Sequence, residues 1–240
     1  MKNIQKLLQL IVENRDREKQ LRAEQTATGN VVWLYDIIDS WFGVSALDVG
    51  KAIENFGGAD FDLYLNSPGG DVFEGRAIQT LLRRHPGNVT VHIDGLAASA
   101  ATTVALGGNK RIIADGAFFM VHNSWTLGLG DRNDLRKTAD LLEQADDAIG
   151  SDYAAATGEE RSVITQWMDD ESWFNAARSV ELGFADEIFS GDDSKAAQNR
   201  AAWNLSAYHN VPKDIAAPPE PQFSSREKLG RYVDMIERIG

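Results

Sequence analysis

No cysteine occurs anywhere in the 240 residues. That absence removes disulfides, thiolate metal sites and cysteine nucleophiles together, and it fits a reducing cytoplasm. No apolar run approaches the roughly eighteen residues that a membrane span needs. The N-terminal stretch MKNIQKLLQLIVENRDREKQ is interrupted by Gln5, Gln9 and Glu13 and leads to no small-residue cleavage site, so no signal peptide is expected. Histidine is scarce: His85, His92, His122 and His209 show no HExxH or similar spacing, so no metal and no cofactor is expected. A GxxxxGK[ST] loop is missing, which excludes ATP hydrolysis by that route. Positive charge is also in the minority, with 24 Lys and Arg against 36 Asp and Glu, a net charge of −12. Such a chain is a poor ligand for polyanions, so neither nucleic acid nor an anionic membrane is an expected partner.

What is present alternates. Residues 1–27 are charged and helix-prone, with Ile4, Leu7, Leu8 and Ile11 on one stripe. VVWLYDII over 31–38 reads as a buried strand. Ser45 is placed to cap a helix over 46–56, with Asp48 in its first turn. Residues 61–65 form the next strand, and 71–84 a helix carrying Val72, Ile78, Leu81 and Leu82 on one face. A strand over 89–93, a small-residue helix over 95–108 and one or two strand pieces in 111–122 follow. A long helix is expected over 131–156, shorter ones near 159–168 and 175–183, and a last strand at 184–188. Strand and helix alternate from 31 to 122, which predicts a parallel sheet with helical crossovers. Beyond about 190 the texture changes: four of the six prolines lie in 212–221, and AAPPEPQ reads as a linker. The chain thus divides into an N-terminal amphipathic helix (1–27), a main domain (28–190) and a Pro/Ala-rich linker with a helical tail (191–240).

In parallel sheets of this kind, ligands gather at the carboxyl ends of the strands. Three such ends carry chemistry. The strand 61–65 runs into Pro68-Gly69-Gly70, whose bare backbone can meet a developing negative charge. The strand 89–93 is followed by Ser99, set among Ala97, Ala98, Ala100 and Ala101, which leave room for a substrate backbone. The strand approaching 121 ends at His122. A serine hydroxyl is a weak nucleophile until a base takes its proton, and an imidazole titrates near neutrality. The N–H groups of Gly70 and Ala100 form a candidate two-donor oxyanion hole. His92, inside a strand with no glycine loop beside it, is assigned no role. Ser67 and Ser124 read as turn or cap residues.

NSPGGDVFEG, GLAASAATTVA, FFMVHNS and WFNAARSVELGFADEI, in this order, resemble the Clp protease proteolytic subunit family, and within it the phage and prophage branch involved in head maturation. The likeness runs over roughly 31–190, with the serine 29 residues after Gly70 and the histidine 23 residues after Ser99. It implies an α/β fold, a ClpP/crotonase-like ββα spiral with a protruding helical handle over 131–156. It also implies a serine endopeptidase with Ser99 as nucleophile, His122 as base, and the N–H groups of Gly70 and Ala100 as oxyanion hole. The third triad member is an aspartate in the family; here that position is Glu171, with Asp170 one residue away as the alternative. The resemblance further suggests that an extended peptide pairs with backbone at Gly69–Phe73, which includes Asp71 and Val72, and along Leu127 and Gly128. A homo-oligomeric ring, an ATP-dependent unfoldase, phage scaffold or capsid proteins as substrates, and a cytoplasmic location are implied in the same way.

Two other classes compete. A hydratase or isomerase of acyl-CoA thioesters shares the oxyanion glycines but works with carboxylates. A catalytically silent assembly protein keeps the fold without the chemistry.

Overall fold

The computed structural model describes residues 19–27, 29–189, 203, 205 and 208–213. The apolar stripes expected over 1–18 and 225–239 lie outside them. Of the helix expected over 1–27, the described part is not helical. Leu21–Thr26 is strand β1, paired antiparallel with β2 (Gly29–Leu34) from Leu21↔Leu34 to Thr26↔Gly29. Tertiary pairing decides here, because an edge position on a sheet satisfies the backbone of a segment whose side chains are helix-tolerant.

From β2 the chain alternates as expected. Helix α1 (Ala46–Glu54) starts at a capping box in which Ser45 accepts from the Asp48 N–H and Asp48 accepts from the Ser45 N–H. Strand β3 (Phe61–Ser67), helix α2 (Val72–Arg84) and strand β4 (Val89–Ala98) follow. Next come helix α3 (Ala100–Ala105) and strands β5 (Lys110–Ala114) and β6 (Phe118–Val121). Helix α4 (Arg132–Thr157) is capped by Asp131 and closed by Gly158 in a left-handed conformation. Helix α5 (Arg161–Asp169), strand β7 (Ser172–Asn175), helix α6 (Ala176–Glu181) and strand β8 (Glu187–Phe189) complete the order.

Strands β2, β3, β4, β5 and β8 lie side by side and parallel. Strand β4 is the pivot. Its first half pairs with β5 as far as Ile93, and its second half pairs with β6 from Leu96. Strand β7 then pairs antiparallel with β6. The helix expected over 95–108 is therefore shorter, because Leu96, Ala97 and Ala98 are held in the sheet by Phe118, Phe119 and Met120.

The alternation along the strands sorts their two faces. Val32, Leu34, Leu63, Leu65, Val89, Val91 and Ile93 point into the main core, against Ile78, Leu82, Val104 and Phe184. On the opposite face Trp33 stacks on Tyr64 at 5.9 Å and Tyr64 on His92 at 4.5 Å, with the Arg22 guanidinium 4.0 Å above Trp33. A smaller apolar cluster of Ile37, Leu96, Ala98 and Met120 forms beside the second half of β4 and is covered by Trp203 and Leu205. Helix α4 buries side chains in its C-terminal half, where Ile149 and Tyr153 meet the core; Leu135 and Leu141 are exposed.

Candidate active site

Ser99 stands between β4 and α3 with φ 55 and ψ −127, in a region that L-residues rarely occupy. Such a conformation costs on the order of 1–3 kcal/mol and survives where surrounding bonds impose it. Here the Ser99 N–H donates to the Met120 carbonyl at 3.0 Å, and the Ser99 carbonyl accepts from the Thr102 N–H at 2.9 Å. The hydroxyl makes no cap bond to α3. It lies 2.7 Å from Nε2 of His122, at the end of β6. A simple helix-cap serine would spend its oxygen on the helix; this one spends it on an imidazole.

The glycine loop is shaped by crowding. A side chain on Gly69 (φ +93) would meet the Ala98 carbonyl at 2.5 Å and the Ser99 Cβ at 2.6 Å. One on Gly70 (φ +146) would collide with the Ile38 carbonyl. Gly70 sits in a parallel bridge with Ile38, in which Ile38 N–H donates to Gly69 O at 2.8 Å and Asp71 N–H to Ile38 O at 2.7 Å. That bridge uses the groups on either side of Gly70, and its own N–H meets no backbone acceptor among the described residues. The N–H of Ala100, first residue of α3, has no acceptor within the helix.

The alanines around Ser99 are not a groove lining. Ala97, Ala98, Ala100 and Ala101 are buried, and α2 packs closely on Ala100: a side chain on Gly75 would come within 2.9 Å of the Ala100 carbonyl. Of the residues expected along a bound peptide, Asp71 caps α2 through the Glu74 N–H, Val72 packs on the core, and Phe73 and Leu127 are exposed. Gly128 lies against Leu135, 3.0 Å from where a side chain would begin. Ser67 accepts from the Gly69 N–H and Ser124 leans on α4 through Asp146, so both serve the turns they occupy.

Burial lowers the His122 pKa to about 4, against a raising effect of Glu171 and a lowering one of His209. The imidazole is therefore neutral at pH 7, with Nε2 free to accept from Ser99. Glu171, at φ 48 and buried, is the carboxylate whose charge His122 feels. Asp170 is exposed and bonded to Gln166. Glu171 makes no hydrogen bond to His122 among the described residues. Its Oε1 accepts from the N–H groups of His209 and Asn210, both at 2.7 Å, and from Trp173 Nε1 at 3.4 Å, and its Oε2 lies 3.4 Å from His209 Nδ1.

The His209 and Asn210 donors belong to a part of the chain for which the sequence predicts no site residue. Tyr208 packs edge-on against the His122 ring at 5.4 Å and against Trp173 at 5.8 Å, and its hydroxyl donates to the Pro68 carbonyl. The available signal was slight: Trp203 and Tyr208 are two aromatics in an Ala-, Asp- and Asn-rich tail.

A strained serine bonded to a neutral imidazole, beside two main-chain N–H groups with no backbone acceptor among the described residues, defines a site of the serine peptidase class. The comparisons give the class its family. The Clp protease family profile matches residues 54–192, and the chain belongs to that family. It is 32% identical over 150 residues to the ATP-dependent Clp protease proteolytic subunit 1 of Streptomyces avermitilis, covering 61% of this chain and 69% of that protein. With the proteolytic subunit 2 of Corynebacterium diphtheriae it shares 31% over 131 residues, 54% of this chain and 66% of the relative. Its fold is similar to that of a ClpP1 point mutant from Listeria monocytogenes, with TM-score 0.60 and 22% identity over 78% of this chain and 98% of that one. Among the described residues no helix is long and apolar enough to cross a membrane, and no acidic, histidine or cysteine cluster would hold a metal ion.

Proposed function

We propose that the chain hydrolyses peptide bonds with Ser99 as nucleophile, His122 as general base and acid, and Glu171 as the orienting carboxylate. The observation that carries this reading is the 2.7 Å contact between Ser99 Oγ and His122 Nε2 at a serine that makes no helix cap. His122 takes the Ser99 proton as Oγ attacks the peptide carbonyl. The oxyanion lies against the N–H groups of Gly70 and Ala100. His122 passes the proton to the leaving amine, and water then hydrolyses the acyl-enzyme by the same route. The peptide runs between Gly69–Phe73 and Leu127–Gly128.

The relatives' names describe ATP-dependent protease subunits. This chain has no nucleotide loop of its own, so an ATP-driven unfoldase would be a separate partner. Exposed Trp125, Leu129, Leu135 and Leu141 on and before α4 support assembly into a homo-oligomeric ring. The resemblance of the motifs to the phage branch favours capsid or scaffold proteins as substrates. A second reading, a silent assembly protein, draws on the state of Glu171, which bonds the tail rather than His122.

Intact-mass analysis after a fluorophosphonate tests the proposal. One adduct that disappears in Ser99→Ala and His122→Ala supports it. A folded chain that takes no adduct, even with the cover over His122 removed by Tyr208→Ala, favours the silent reading.

A further inference from the structure

The described C-terminal residues touch two members of the proposed triad, His122 and Glu171, and the glycine loop beside the third. The Tyr208 hydroxyl bonds the Pro68 carbonyl, and the Tyr208 ring packs edge-on against the His122 ring. The N–H groups of His209 and Asn210 occupy the Glu171 oxygen Oε1, and Asn210 Nδ2 donates to the Asp170 carbonyl at 2.7 Å. Upstream, Trp203 donates from Nε1 to Asn66 at 3.2 Å, and Trp203 and Leu205 are buried on Ile37, Leu96, Ala98 and Met120.

We infer that the segment carrying Trp203, Leu205 and Tyr208–Asn210 is a built-in strap that holds the serine site closed until it is displaced. The inference rests on the serine peptidase reading and adds its regulation. Three features of the contact argue for closure over support. First, an orienting carboxylate accepts from the imidazole Nδ1–H, but the strap has taken Oε1 with two main-chain donors, so Glu171 is turned to the strap. Second, the phenol spans from the Pro68 carbonyl of the glycine loop to the His122 ring, across the side from which a peptide must approach Ser99. Third, the strap is seated on its own apolar cluster, separate from the main core, so it can lift without opening that core.

The test is the second-order rate of fluorophosphonate labelling at Ser99 in the full chain. Three proteins are compared: wild type, Tyr208→Ala, which uncovers His122 and Ser99, and Leu205→Asp, which places a charge in the strap's seat. Thermal unfolding checks that each variant is folded, and hydrogen exchange at 208–211 reports displacement of the strap. At least tenfold faster labelling in both variants, with faster exchange at 208–211, is the expected result. Labelling of wild type at a rate unchanged or lowered in the folded variants overturns the strap and leaves the peptidase reading standing. No labelling in any of the three overturns both.

Discussion

Two histidines of this chain end up with opposite fates, although each follows a run of apolar strand residues. His92 lies in the middle of β4, stacked on Tyr64, with Nε2 3.0 Å from Asp62 Oδ1 on the neighbouring strand. His122 lies just past the end of β6, with Nε2 2.7 Å from Ser99 Oγ and an aromatic edge against its ring. Both have a carboxylate within reach. The difference is position along the strand. Within a strand, neighbours fixed by register fill the space around a side chain. At its carboxyl end the chain turns away and exposes bare N–H groups beside the side chain, which is where a reacting carbonyl can fit.

Substitution of the two residues is the strongest way to break this contrast. His122→Ala and Ser99→Ala are each expected to reduce peptide turnover on the order of 10⁴-fold or more, while His92→Ala stays within a few-fold. Hydrolysis of a fluorogenic peptide checks both, and a comparable loss in His92→Ala would dissolve the distinction.

The next effect concerns the strand-end backbone. Gly70→Ala forces a side chain onto the Ile38 carbonyl and shifts the Gly70 N–H. The expected loss in kcat is on the order of 10²–10³-fold with KM little changed, the signature of a donor used mainly in the transition state. An unchanged kcat would remove Gly70 from the site.

The pH dependence separates the histidines more finely. Because burial lowers His122 to about 4, its unfolded form takes up a proton near pH 6.5 before the folded form does. Its contribution to stability is therefore present above about pH 6.5 and is lost as pH falls toward 4. Urea unfolding across that window is expected to show a shallower decline in His122→Ala than in wild type. Equal declines would mean that the imidazole is not desolvated. The groups facing it are Glu171, His209 and Tyr208.

The smallest effect lies in the stack of Trp33, Tyr64 and His92. His92→Ala removes one stacked ring from a partly exposed face and is expected to cost about 0.5–1.5 kcal/mol. By contrast, Phe184→Ala opens a hole beside Phe119 and Phe174 in the main core and is expected to cost about 3–5 kcal/mol. Chemical denaturation of the two variants measures the gap.

The alternation of apolar strand segments with helical ones from 31 to 122 determined the parallel sheet, because such crossovers return each strand to the same sheet in the same direction. Glycine and proline at 68–70 determined the turn after β3, since few other residues fit the conformations at 69 and 70. The spacing of Ser99 and His122 after their strands determined that both would reach the same edge. The N-terminal helix boundary failed because β1 gains its stability from pairing with β2, a contact that local propensity does not contain. The extent of α3 failed because β6 holds Leu96–Ala98 in the sheet.

The orientation of Glu171 and the cover over His122 depend on Tyr208 and His209, 37 and 38 positions beyond Glu171, carried there by burial of Trp203 and Leu205. Local sequence carries periodicity and steric demand, and those settle strands, turns and strand ends. Which carboxylate oxygen meets which donor is settled by long-range packing, and only the folded chain decides it.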